Sequence, residues 1–366
     1  MKKMERTKPK LSEQVEQKIN TATKRPPEYD GSGNYDGSDN ADNVVSTGST
    51  LLDLAISGGR FREGGIPMGI LVEIFGPSGT GKTVLLSQIA GNIQRAGGEI
   101  MFHDPEARLN KQFARMFGLN ISTINYSTPD TVTEVFQSVR KWIPKNDKND
   151  KDEKLHGIFA DSLAALSTDM ELDKDEGDKM GMRRAKEFSE ELRKTCRIIA
   201  RRNVLMVCSN QIRQNLDAGP WGSRYKSPGG EAIKFYSSLR LRSSLSQKLK
   251  AVRVIRGKEH ERIVGVKVSL EIVKSSVWKP FRTAEVYILY DYGIDDIRAN
   301  LRFLKEATAD TVYRIGEEKL GKSLDRAIKT VEEMGLERKL KDKVIEVWNE
   351  IEEEFSKETR KPRGWE

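Results

Sequence analysis

Four short apolar runs punctuate the middle of the chain, at residues 69–75, 99–103, 157–160 and 204–208, and segments of helical period separate most of them. Continuous apolar runs of this length, alternating with amphipathic helices, predict strands buried on both faces. The architecture that accommodates them is an α/β fold with a mostly parallel central sheet. After Val252 the period shortens to strand-like alternation, as in 264–273 and 285–290, so the sheet is expected to finish in antiparallel strands. Residues 1 to about 22 are charged and sparsely apolar, with room for one short helix, and 24–43 form a Pro/Gly/Asp/Asn run that can bury almost nothing and reads as a flexible linker. From Arg298 the texture changes again, and 319–355 reads as helices in a small, highly charged module. The expected division is an N-terminal helical segment with linker (1–43), a core (44–297) with a polar insertion at 144–154, and a small C-terminal α/β domain (298–366).

A length of 366 residues allows about two domains and one large core, which excludes a peptide or a small disulfide scaffold. Lys and Arg number 63 against 55 Asp and Glu, a formal charge of +8. That makes a polyanion a reasonable partner, although solvated helix faces would give the same balance. Cys196 and Cys208 fall in a predicted helix and a predicted buried strand, as free thiols do in a reducing cytosol. Three histidines and no C-x-x-C pair argue against a zinc site. No apolar stretch approaches 18 residues and no hydrophobic core follows the N-terminal charges, so secretion and membrane spanning are excluded and a cytoplasmic location is expected.

The chemistry begins at Gly76-Pro77-Ser78-Gly79-Thr80-Gly81-Lys82-Thr83, which fits G-x-x-x-x-G-K-[ST] between a predicted strand and the helical run 84–95. Glycines let successive backbone N–H groups curl around phosphate oxygens, and the helix N-terminus adds positive potential. Lys82 reaches the outer phosphates and Thr83 offers a hydroxyl to Mg²⁺. A second carboxylate on a neighbouring strand end helps hold that metal, and Asp161, closing 157–161, is the candidate. Hydrolysis also needs a group that activates water, and the strand 99–103 delivers His103, Asp104 and Glu106 to the same edge of the sheet. Reach favours Glu106, while spacing leaves Asp104 in competition. A third strand ends Ser209-Asn210-Gln211, where an amide can sense a γ-phosphate by hydrogen bonding.

In their order and spacing these motifs resemble those of the RecA-type homologous recombinases of bacteria and phages. The resemblance runs from about Ser46 to Gly293. Beyond the phosphate loop it is carried by Ser46-Thr47-Gly48-Ser49, Ile66-Pro67-Met68-Gly69, Asp104-Pro105-Glu106-Ala107 and Thr128-Pro129-Asp130-Thr131, and then by Asp161-Ser162-Leu163-Ala164-Ala165-Leu166, Ser209-Asn210-Gln211-Ile212-Arg213 and Gly229-Gly230-Glu231-Ala232-Ile233-Lys234-Phe235-Tyr236. It implies a P-loop ATPase core that uses ATP and Mg²⁺, hydrolyses ATP in response to DNA, assembles as a helical filament on single-stranded DNA, and pairs that strand with duplex DNA. It further implies that Lys82 binds phosphate, that Thr83 and Asp161 hold the metal, that Glu106 activates water and that Gln211 couples the γ-phosphate to DNA binding. Phe113 falls where the family stacks an aromatic ring on adenine.

Two loops of this family meet DNA. The segment matching the first, between Ser167 and Gly181, is acidic in this chain. The second, between Ile212 and Gly229, carries Arg213, Arg224 and Lys226 with Trp221 and Tyr225 interleaved and ends on Gly229 and Gly230. Cations for phosphates and rings for stacked bases are what a single strand requires. Bacterial members place two lysines, one residue apart, against the neighbouring protomer's ATP; this chain has Lys274 but Ser276 at the second position. The stretch 313–351 resembles the family's C-terminal duplex-capturing domain, and the chain ends in a basic tail where many members are acidic. A hexameric helicase on the same core is disfavoured by the block at 229–236. A regulatory paralogue without strand exchange is disfavoured by intact Lys82, Glu106 and Asp161.

Overall fold

The computed structural model describes residues 44–143, 154–167, 180–214, 225–226 and 230–357. The chain enters through a two-stranded antiparallel pair, β1 (Val44–Val45) and β2 (Ile66–Pro67), with helix α1 (Thr50–Ser57) between them. The strands β3 (Leu71–Gly76), β4 (Glu99–His103), β5 (Asn125–Ser127), β6 (His156–Ala160) and β7 (Leu205–Gln211) then build a parallel sheet. Its crossover helices are α2 (Lys82–Arg95), α3 (Lys111–Met116), α4 (Val132–Trp142) and α5 (Met180–Arg201). The short strands β8 (Arg213–Gln214) and β9 (Tyr225–Lys226) pair with each other, and α6 (Gly230–Tyr236) leads into β10 (Leu239–Ile255). With β11 (Lys258–Ser275), β12 (Thr283–Leu289) and β13 (Gly293–Ile294), the sheet reaches nine strands in the order β13-β12-β11-β10-β3-β7-β6-β4-β5.

The five pairings from β10 to β5 are parallel and the three from β13 to β10 antiparallel, as the two sequence periods require. Alternation within each apolar run supplies both faces. Val72, Ile74, Ile100, Phe102, Phe159 and Val207 pack against α1 and α2, whereas Leu71, Met101, Ile158, Met206 and Cys208 pack against α4 and α5. A strand buried on both sides therefore reads as one unbroken hydrophobic run.

Some of the motif blocks are folding devices. Thr131 Oγ1 accepts from Glu134 N (3.2 Å) while Glu134 Oε2 accepts from Thr131 N (3.2 Å), a reciprocal cap that starts α4. Asp53 is fully buried and accepts from Ser46 Oγ (2.5 Å) and from both the backbone N and Oγ1 of Thr47 (2.7 Å each). Burial pushes its carboxyl up to about 6 in spite of those bonds.

The C-terminal module is mixed α/β, and only the start of 319–355, read as helices, differs, because it completes a hairpin. Helix α7 (Asp296–Ala307), which spans the expected break at 297/298, is followed by a hairpin, β14 (Tyr313–Ile315) and β15 (Glu318–Gly321), and by α8 (Leu324–Met334) and α9 (Glu337–Lys357). Its core of Leu301, Leu304, Ile315, Leu320, Val331, Leu340 and Val344 includes Leu54 from α1, so the module is packed onto the core. The hairpin is too short for its alternation to stand out among the surrounding charges.

Candidate active site

The chain turns from β3 into α2 through residues 76–83. Gly81, the N-cap of α2, has φ 75°, a left-handed backbone that favours glycine, and a Cβ there would lie 2.3 Å from Ile288 Cδ1. At Gly76 the constraint is space: a Cβ would meet the Ser243 carbonyl oxygen at 2.2 Å. Ser243 also donates from its hydroxyl to the Thr80 carbonyl (2.7 Å), tying the loop to β10. Lys82 is nearly buried and folds back over the loop, donating to the carbonyls of Gly76 (3.1 Å) and Pro77 (2.7 Å). Burial pulls its pKa below the usual lysine value, against the pull of Asp161 and Glu106.

Parallel pairing brings the ends of β4, β6 and β7 beside this loop. Thr83 Oγ1 donates to Asp161 Oδ2 (2.5 Å), and Ser209 donates to the other carboxylate oxygen. Burial raises the Asp161 pKa, opposed by those two hydroxyls and reinforced by Asp104 and Glu106. A hydroxyl and a carboxylate in contact beside a phosphate loop are an all-oxygen donor set, which suits a hard cation such as Mg²⁺. Glu106 Oε1 accepts from Gln211 Nε2 (3.2 Å) and Ser162 Oγ (3.0 Å), and Oε2 pairs with exposed Arg108 (2.8 Å).

Of the other two groups at the end of β4, Asp104 also lines the cleft beside the phosphate loop, while His103 is not among its lining residues. Asp104 is buried, and its Oδ2 accepts from Leu109 N and from the Tyr126 hydroxyl, both at 2.8 Å. His103 lies between the hydroxyls of Ser127 (2.7 Å) and Ser138 (3.2 Å), with its pKa pushed down to about 4 by burial.

Gly79, Gly81, Lys82, Thr83, Glu106, Asp161 and Gln211 line one cleft of about 470 Å³ together with Phe113. Phe113 is 37% exposed on α3, edge-on to Phe117 at 4.3 Å between ring centroids. The cleft is also lined by Val266, Ile288 and Tyr290, which lie outside the motif blocks. Lys274 is not among the lining residues; its ammonium donates to the carbonyls of Lys234 and Phe235 (2.8 Å each) at the end of α6. Of the expected DNA-contacting residues, Trp221, Arg224 and Gly229 lie outside the described residues. The backbones of Arg213 and Lys226 are paired across β8 and β9, and Gly230 begins α6.

Residues 33–295 match the RecA N-terminal domain family. The protein RecA of Acholeplasma laidlawii is 32% identical over 305 residues, covering 81% of this chain and 85% of its own length. Those of Borrelia duttonii and Delftia acidovorans are each 32% identical over 308 residues, covering 83% and 82% of this chain and 80% and 78% of their own lengths. The chain belongs to the RecA family. Among the described residues no helix is long and apolar enough to cross a membrane.

In this RecA-family chain a buried network also underlies β7, the strand that ends at Gln211. Glu73, in the middle of β3 and fully buried, accepts from Arg240 Nε on β10 (2.5 Å) and from Asn210 Nδ2 on β7 (3.0 Å). Asn210 Oδ1 in turn accepts from the backbone N of Gln211 (3.1 Å), and the Arg240 guanidinium lies over the Phe75 ring at 4.4 Å. The signal for Glu73 was present, a lone acid inside an apolar run; its partners come from strands 137 and 167 residues away and leave no local trace.

Proposed function

We propose that this chain is a DNA-dependent ATPase that polymerises on single-stranded DNA and carries out homologous pairing and strand exchange. The observation that carries the reading is the contact between Glu106 and Gln211 beside the phosphate loop. It joins a carboxylate able to orient and deprotonate water to the last residue of β7, from which the chain runs into the basic and aromatic segment 212–229. In this reading the loop amides and Lys82 bind the phosphates of ATP, and Phe113 and Tyr290 flank the base. Glu106 takes the proton of the attacking water. Thr83 and Asp161 would hold Mg²⁺, which supplies charge neutralisation on the phosphate oxygens. When a γ-phosphate competes for the Gln211 amide, the Glu106 bond is exchanged for a new one and the following loop is repositioned. ATP would lie between protomers of a filament, with Lys274 on the neighbouring side.

The test is ATP hydrolysis with and without single-stranded DNA, beside electron microscopy on that DNA with a non-hydrolysable ATP analogue. Stimulated hydrolysis and helical filaments are expected. Closed rings with directional unwinding would overturn the reading in favour of a helicase, and absence of DNA-stimulated hydrolysis would overturn it in favour of a regulatory paralogue.

A further inference from the structure

The hairpin of β10 and β11 outruns the sheet that contains it. β10 pairs with β3 only over Leu239–Arg242, and β11 pairs with β12 only from Gly265 to Glu271. Past those limits six consecutive opposed pairs, Lys250↔Ile263 through Ile255↔Lys258, have no strand on either outer edge among the described residues. At about 3.4 Å per residue the six rows project roughly 20 Å. At the tip Arg256 (φ 53°) and Gly257 (φ 77°) are both left-handed, as a two-residue hairpin turn that follows strand twist demands. Asn, Asp or Gly would suit the first of these positions; arginine there costs about 1–2 kcal/mol and places a cation at the extremity.

The register sorts the side chains by charge. Opposed residues share a face and successive rows alternate between faces. One face carries Ala251 with Arg262, Arg253 with His260, and Ile255 with Lys258; the other carries Lys250 with Ile263, Val252 with Glu261, and Val254 with Glu259. Both acids of the free ribbon are therefore on the second face, where Glu261 is paired with Lys250 at 2.8 Å. The first face has exposed Arg253, Lys258 and Arg262 and no carboxylate. Over residues 245–264 six Lys and Arg stand against two Glu, a net +4.

We propose that the free end of this ribbon is a contact for double-stranded DNA, laying its Arg253, Lys258 and Arg262 face into the major groove. That groove, about 12 Å wide, admits a two-stranded β-ribbon, and its walls are lined by phosphates that long cationic side chains reach. A single strand has no such groove. An acidic protein surface would reward the charge without requiring a narrow projection cleared of acids on one face. The ribbon also rises from the wall of the nucleotide cleft: Val266 lines the cleft, and the first free row, at Ile263, is three residues away along β11. A duplex held there is adjacent to the nucleotide site and separate from the segment at 212–229.

The test uses the full chain without nucleotide, so that absence of ATP hydrolysis leaves its outcome readable. Fluorescence anisotropy across a salt series compares a short duplex with a single strand of equal length. For Arg253→Ala/Lys258→Ala/Arg262→Ala the log–log salt slope on duplex falls by about 2.7, at roughly 0.9 per phosphate contact, while the single-strand slope is unchanged. The charge-preserving Arg253→Lys/Lys258→Arg/Arg262→Lys variant keeps the parent slope, which separates charge from folding. Val252→Ser/Val254→Ser on the opposite face also keeps it. An unchanged duplex slope in the triple alanine variant overturns the proposal. An unchanged slope accompanied by weaker binding to poly-glutamate overturns it in favour of an acidic protein partner.

Discussion

Replacing Glu106 by glutamine separates its expected role from that of Asp104, the other carboxylate at the end of β4. Glutamine keeps the length and an oxygen to accept from Ser162 and Gln211, and the ion pair it gives up is with an Arg108 that is 78% exposed. Such a pair contributes at most about 1 kcal/mol, so Glu106→Gln should melt close to the parent. What it loses is proton acceptance, which at 10²- to 10⁴-fold corresponds to about 2.7–5.4 kcal/mol in the barrier. Asp104 presents the opposite balance. Its Oδ2 satisfies a backbone N–H and a tyrosine hydroxyl in a buried turn, and leaving both unpaired costs about 1–3 kcal/mol each. Asp104→Ala should therefore lose several degrees of melting temperature, whereas Asp104→Asn retains an acceptor oxygen and should hydrolyse ATP within a few-fold of the parent. The assay is single-strand-stimulated ATP hydrolysis, with equilibrium nucleotide binding and thermal melting on the same samples. Normal turnover by Glu106→Gln beside a dead but folded Asp104→Asn would refute the assignment.

Three other outcomes follow from the same geometry and sequence. Lys82→Ala should weaken nucleotide binding itself, measured by titration of a fluorescent ATP analogue, because it removes charge from the phosphates before as well as during reaction. Arg224→Ala/Lys226→Ala should lower the single-strand salt slope by about 1.4, at roughly 0.7 per contact; an unchanged slope would remove both from the DNA path. Asp53 holds its proton up to about pH 6 in the fold against 3.8 as a free side chain, so the folded state binds more protons in that window and gains stability as pH falls through it. In denaturant titrations the parent should therefore gain about 2 kcal/mol on Asp53→Asn between pH 6 and pH 4.

The parts legible in the sequence are those whose signal is local. The strand order could not be read from periodicity, yet the change from parallel to antiparallel pairing could, because a strand buried on both faces and one with a polar face differ in their period. The phosphate loop was legible because glycine at 76 and 81 answers constraints on backbone and space that few other residues meet. Asp104 and Glu106 stay in competition in the sequence because both follow the same strand; the side-chain contacts that differ between them, Tyr126 on Asp104 and Ser162 and Gln211 on Glu106, come from 22 to 105 residues away. Tyr290 and Ile288 entered the cleft wall through strand pairing, which leaves no spacing to recognise. The free ribbon was invisible for another reason: alternation predicts a strand wherever it occurs and does not say whether the neighbouring strand extends as far.

If Gln211 acts as the proposed function requires, the buried network beneath it bears on how a small displacement at the cleft travels forward into the segment 212–229. Asn210, one residue before Gln211, is held by Glu73, and Glu73 is held by Arg240. Breaking a buried pair of this kind by removing one partner costs about 3–5 kcal/mol, whereas coupling between two binding sites is typically 1–3 kcal/mol. The base of β7 is therefore stiffer than the signal it has to carry. Beyond Gln211 the chain is tied by the two-residue pairing of β8 with β9, and after α6 by Lys274 on the carbonyls of Lys234 and Phe235. Between these fixed points lies the stretch 215–224, which carries Trp221 and Arg224. Under the proposed function, a hydrogen bond exchanged at Gln211 is therefore passed forward along the chain toward 212–229 rather than absorbed backward into the sheet.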